Sequence, residues 1–231
     1  MCCKLINQLN QLNGERSFAN HVVLFFSLCT YQSVQILNVF VFVCVFAPYS
    51  LMEEGGDWER RNRLKVYEGL YELLVRNFKS AAQLFLDSVS TFSSTELMPY
   101  NRFIFYTIIM SMIALERPEI KKKVLVNSDI LTVINQIPHA SQFIESLYNS
   151  RYHEFLVALV DITDEMKKDR YTAPHVRFYT RELRIRAYGQ FLESYKSVTL
   201  KSMAQEFGLS IAFLDTALSR FIAAGRLNAK I

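Results

Sequence analysis

Residues Ser197–Ile231 read SVTLKSMAQEFGLSIAFLDTALSRFIAAGRLNAKI, and this stretch decides the fold. Thr199 is suited to cap a helix over Leu200–Phe207, with Leu200, Met203, Ala204 and Phe207 on one face. Gly208 ends that helix, since glycine accepts the left-handed backbone that a helix C-terminus favours. Ser210 caps a second helix whose buried stripe is Ile211, Leu214, Leu218, Phe221 and Ile222. Gly225 ends it. Leu227, Ala229 and Ile231 then alternate with Arg226, Asn228 and Lys230, the period of a half-buried strand. Helix, tight turn, helix and strand is the order of a winged helix cut after its first wing strand.

DNA reading by this unit is disfavoured by its own residues. A recognition helix offers Arg, Lys, Asn or Gln to base edges and phosphates. The exposed positions here are Ser210, Ala212, Asp215 and Thr216, and the only basic side chain is Arg220. Asp215 would repel phosphate. A packing and pairing module is the better reading.

Upstream, the chain reads as helical pairs. Leu64, Tyr67, Leu70, Tyr71 and Leu74 predict one helical face, Arg76-Asn77 a turn, and Ala81, Leu84, Phe85, Ser88 and Phe92 the facing stripe. The small Ala81 and Ala82 permit close approach, as in a tetratricopeptide-type unit. The turn RNFKSAAQLF finds an echo in SRYHEFLVAL, where Asn149–Arg151 separates Phe143, Leu147 and Tyr148 from Tyr152, Phe155, Leu156, Leu159, Thr163 and Met166. Between them, Pro99 starts one helix and Asn127 or Ser128 caps another that Pro138 closes. Stacked pairs bury faces that none could bury alone. The whole is thus an all-α chain: helical repeats over 52–195, then a partial winged helix over 196–231.

The last repeat helix, Ala173–Ser194, carries Val176, Tyr179, Leu183, Ala187 and Gln190 or Phe191 inward. Arg177, Arg181, Arg184 and Tyr188 fall on a separate stripe, either solvated or a contact for an acidic partner helix.

Chemistry-bearing constellations are missing from the sequence. His21, His139, His153 and His175 are scattered and none sits at metal-ligand spacing. Gly55-Gly56 is no phosphate loop, and there is no G-x-S-x-G elbow. Asp161, Asp164, Glu165 and Asp169 read as a solvated helix face beside Lys167 and Lys168. No catalytic residue, cofactor, metal or small-molecule substrate is expected. A net charge of +4 over 231 residues is too mild for a general nucleic-acid binder.

Residues 1–51 differ from the rest. Ser17–Met52 contains no Asp, Glu, Lys or Arg, and all four cysteines, Cys2, Cys3, Cys29 and Cys44, lie before Ala47. His21–Ala47 is long enough to span a bilayer, which takes about 20 apolar residues. Three readings stay open: a membrane span or signal-like anchor, a mis-joined start foreign to the reading frame, or a buried hydrophobic element. The cysteine-free remainder suits a reducing compartment.

The blocks GDWERRNRLKVYEGLY (56–71), AAQLFLDSVSTF (81–92), SMIALERPEIKKKVL (111–125), EMKKDRYTAPHVRFYTRELRIRAYGQFLESYKSVTL (165–200) and SRFIAAGRLNAKI (219–231) carry a resemblance. From Glu54 to Ile231 the chain resembles the PCI-domain subunits of the 26S proteasome lid. The resemblance implies right-handed helical repeats joined to a winged helix. It also implies a non-catalytic scaffold role in ubiquitin-dependent degradation, in cytoplasm and nucleus, with other lid PCI subunits as partners. Such proteins carry a longer repeat array at the N-terminus, and a second wing strand and a helix after the position of Ile231. An open strand edge at Leu227, Asn228, Ala229, Lys230 and Ile231 is therefore expected to pair with a neighbour's sheet. Two alternatives remain: a nucleic-acid or translation-complex scaffold using the arginine stripe, and a membrane-anchored adaptor if 21–47 inserts.

Overall fold

A computed structural model of the chain describes residues 58–229. The apolar run 21–47, Lys230 and Ile231 lie outside the described residues. Ten α-helices follow one another: α1 (Trp58–Val75), α2 (Phe78–Ser88), α3 (Tyr100–Ala114), α4 (Arg117–Ile120, running into a π-helical turn, Lys121–Leu125), α5 (Ser128–Ile134), α6 (Ala140–Tyr148), α7 (Tyr152–Lys168), α8 (Val176–Glu193), α9 (Leu200–Phe207) and α10 (Ile211–Ala223). A short 3₁₀ turn, Ala173–His175, leads into α8. None of the described helices is long and apolar enough to cross a membrane.

The pairs α1–α2 and α6–α7 are built alike. Each first helix ends in a left-handed residue that is not glycine, Arg76 (φ 69°) or Ser150 (φ 60°). In the first pair the Arg76 and Asn77 amides donate to Leu73 and Glu72 carbonyls; in the second, Ser150 and Arg151 donate to Leu147 and Ser146. This is the double bond that satisfies the last carbonyls of a helix and turns the chain back. The echo between RNFKSAAQLF and SRYHEFLVAL is therefore a shared backbone turn. The residue that opens each second helix, Phe78 or Tyr152, is buried.

Of the expected α1 stripe Leu64, Tyr67, Leu70, Tyr71 and Leu74, Leu70 is fully buried, and the buried face is rotated away from Leu64, Tyr67, Tyr71 and Leu74. Those four are half-buried, and Val66, Leu70 and Leu73 are enclosed together with Gly69. The cause is Gly69, which lets the Phe85 ring approach so closely that an added Cβ would lie 2.6 Å from it. Closest approach of two helices, rather than greatest hydrophobicity, sets which face is buried.

Helix α3 is the centre. Every side chain from Phe103 to Met112 is buried, as expected of a helix apolar all round. It touches α2, α5, α6 and α8. Helix α8 is fixed to it by three polar contacts: Tyr179 Oη donates to the Ile109 carbonyl at 3.1 Å, and the Arg186 guanidinium donates to the Met112 and Leu115 carbonyls. A cation at the C-terminal carbonyls of α3 also complements the helix dipole.

Asp169 does not share the outer face of Asp161, Asp164 and Glu165. Helix α7 ends at Lys168 and Asp169 has extended backbone, so the helical stripe no longer governs it. Its carboxylate turns inward and accepts from Tyr106 Oη (2.8 Å), the Thr172 amide and hydroxyl (both 3.0 Å) and the Tyr171 amide (3.2 Å). Arg102 Nε lies 3.5 Å away. Burial, and secondly the Asp169 charge, pushes the Tyr106 phenol far above its ordinary value.

His175 ties the first pair to α8. Its Nδ1 accepts from Arg76 Nε at 3.0 Å, and its ring meets Phe78 edge-on. Burial, then the neighbouring Arg76 cation, lowers its pKa from the ordinary imidazole value. The unfolded chain thus takes up the proton more readily, so the stabilisation is present above the unfolded value and fades as pH falls toward the folded one. Wild type should lose more stability than His175→Gln in denaturant titrations between about pH 7.5 and about pH 5.5. Parallel losses would assign the acid sensitivity to another group.

Candidate partner interface

The terminal pair α9–α10 is set by the signals in its sequence. Thr199 Oγ1 accepts from the Ser202 amide at 3.2 Å, and Ser210 Oγ accepts from the Phe213 amide at 3.4 Å. Gly208 (φ 63°) and Gly225 (φ 67°) end the two helices. Gly208 also admits the His153 ring, since a Cβ there would lie 2.2 Å from Nδ1. This close approach seats the pair on α7.

Phe207 is the main apolar anchor. Its ring stacks on Tyr152 at 4.8 Å and meets Tyr188 and Phe191 edge-on at 4.9 and 5.5 Å. The core is thus continuous from the repeats into the terminal pair. Tyr188 is fully buried by this packing, with Phe221 also against it at 6.2 Å. The expected stripe of Arg177, Arg181, Arg184 and Tyr188 is corrected accordingly: α9 and α10 cover its last member, so Tyr188 is a core residue and not a partner anchor.

The expected wing strand is also absent from the described residues. Leu227–Ala229 is irregular. Leu227 is buried over Gly189 of α8, and Arg226 pairs with Glu182 of the same helix. A strand is stabilised by pairing with another strand, and here the segment is held by α8 instead. Asn228 is exposed and Ala229 half-buried; Lys230 and Ile231 lie outside the described residues.

The arginines differ in what they meet. Arg181 pairs with Glu182 at 3.3 Å and lies over the Phe178 ring at 5.1 Å. Arg184 lies over Phe213 at 5.6 Å. Neither Arg184 nor Arg177 has a carboxylate partner among the described residues. Beside Arg184, α7, α8 and the start of α10 enclose an apolar pocket of about 120 Å³. Leu156, Leu159, Val160, Leu209 and Phe213 form most of its wall. Val160 (57%) and Phe213 (44%) of this wall are exposed, as are Val157 of α7 and Ile211 of α10. Sequence periodicity could not show this: Ile211 looks like a core residue of α10, and Val157 and Val160 lie off the main stripe of α7. Among the described residues, no group of three or more His, Cys, Asp or Glu is placed to hold a metal.

The family model of the PCI domain matches residues 153–231, the region that supplies α7, α8 and the terminal pair. Over these residues the chain is similar to PCI domains. The family model of the 26S proteasome subunit RPN7 matches residues 47–123, ahead of the PCI domain. The chain is 58% identical over 181 residues to 26S proteasome non-ATPase regulatory subunit 6 of Oryza sativa subsp. japonica, covering 78% of this chain and 46% of that protein. The homologue in Arabidopsis thaliana is 57% identical, with coverage of 78% and 47%. Saccharomyces cerevisiae 26S proteasome regulatory subunit RPN7 is 42% identical over 189 residues, with coverage of 80% and 44%. The chain spans about half the length of these curated relatives.

Proposed function

We propose that this chain is a non-catalytic structural subunit of the 26S proteasome regulatory particle lid, supporting ubiquitin-dependent degradation in cytoplasm and nucleus through contacts with other PCI subunits. The observation that carries this reading is identity of 42–58% to proteins named as that subunit, extending over about four-fifths of the chain. The repeat region over 52–195 would set the position of the module at 196–231, since Phe207 packs on Tyr152, Tyr188 and Phe191 of the repeats. The exposed cations Arg177 and Arg181, together with Arg184 and Asn228, are the residues we assign to partner contacts. A nucleic-acid scaffold is less well supported, because Arg181 and Arg226 already share Glu182.

Purification through a tagged copy of the chain tests the reading. Lid subunits should remain bound at high salt and after nuclease treatment, because apolar pairing lacks the steep salt dependence of phosphate contacts. The purified chain should cleave neither ubiquitin chains nor peptide substrates. Loss of every protein partner on nuclease treatment would overturn the proposal, as would a hydrolase activity that tracks the pure chain.

A further inference from the structure

The apolar pocket between α7, α8 and α10 combines three features. It is lined by side chains that remain partly exposed in the folded chain. Val160 is 57% and Phe213 44% exposed. At about 120 Å³ it has room for one large apolar side chain rather than a small-molecule ligand, whose pockets run from about 300 Å³ upward. And its rim is cationic without internal compensation: Arg184 lines the pocket, Arg177 stands two helical turns before it on the same stripe, and neither meets a carboxylate among the described residues.

The acids of α7 and α8 are largely paired, and Asp215, two residues after Phe213, falls on another face of α10. Asp164 pairs with Lys167 at 2.7 Å, Asp161 with His139 at 3.4 Å, and Glu154 with Arg151 at 2.9 Å. Glu182 is shared by Arg181 and Arg226. The positive rim is therefore left for a group from outside. Arginine beside an aromatic ring, as Arg184 is beside Phe213, is the usual composition of an energetic anchor at a protein interface. Charge complementarity selects the occupant.

We infer that this pocket docks a segment of a partner protein that inserts one large apolar side chain and places a carboxylate within a helical turn of it, against Arg184 and Arg177. The surface is separate from the terminal segment Leu227–Ala229. The inference rests on the reading of the chain as a scaffold subunit, but its test needs no lid protein.

A phage-displayed library of short random peptides is selected against the full chain, then against Arg177→Glu/Arg184→Glu and against Val160→Asp. Both variants alter exposed or half-exposed side chains, so circular dichroism should confirm an unchanged fold. Wild type should enrich peptides joining a Leu, Phe or Trp to nearby Asp or Glu. A selected peptide should bind about tenfold more weakly to either variant, and no more weakly to Lys122→Glu on the distant π-helical turn. Enrichment without acidic bias would overturn the inference, as would no enrichment, or equal binding to all variants. Self-association of the chain abolished by Val160→Asp would give the pocket to a second copy and would overturn it too. Failure here with lid subunits still retained in the purification above would remove the pocket and leave the scaffold reading standing.

Discussion

Asp169→Ala is expected to lower the unfolding free energy by about 2–4 kcal/mol, the cost of leaving buried donors without their charged acceptor. The carboxylate gathers four hydrogen bonds and faces Arg102. Its loss leaves Tyr106 Oη, enclosed at the centre of α3, with nothing to donate to. The Thr172 hydroxyl keeps the Met166 carbonyl as an acceptor, so the cost falls chiefly on the tyrosine and the α7–α8 connection. Tyr106→Phe removes only one of the bonds and should cost about 1 kcal/mol. Urea titration of both variants measures this. Equal, small losses would mean that Asp169 is solvated in the folded chain and does not organise the turn into α8.

Phe207→Ala should be of similar size, about 3–5 kcal/mol by the transfer and cavity costs of a buried aromatic. Its effect should be distributed differently. The ring is the contact of the terminal pair with Tyr152 of α7 and with Tyr188 and Phe191 of α8. Hydrogen exchange should therefore rise first in α9 and α10, while α3 amides keep their protection. Uniform acceleration across the chain would instead make the terminal pair an inseparable part of one cooperative unit.

Much of the architecture is legible in the sequence because local signals and packing agree. Thr199 and Ser210 act through side-chain caps on amides three residues away, and Gly208 and Gly225 through their own backbone geometry, so the terminal helices fall where they are expected. The repeated turn at Arg76-Asn77 and Ser150-Arg151 is legible for the same reason, even though its left-handed positions hold arginine and serine. What depends on contacts between elements is not legible in this way. Gly69 turns α1 through its approach to Phe85, although a hydrophobicity count favours the neighbouring face. Asp169 sits one residue past a helix end, where periodicity has no authority. Tyr188 shares a stripe with three arginines, but only its part of the stripe is roofed by α9 and α10. Leu227–Ala229 alternates like a strand and is held by α8 instead. The pocket beside Arg184 is built from α7, α8 and α10 together, so no single stretch of sequence contains it.

The central claim is that this chain works as a scaffold among PCI subunits. Native mass spectrometry of the particle purified through the tagged chain tests it most directly. An assembly containing a single copy of the chain together with other lid subunits and no nucleic acid is expected. The chain recovered alone, or only as an oligomer of itself, would contradict it.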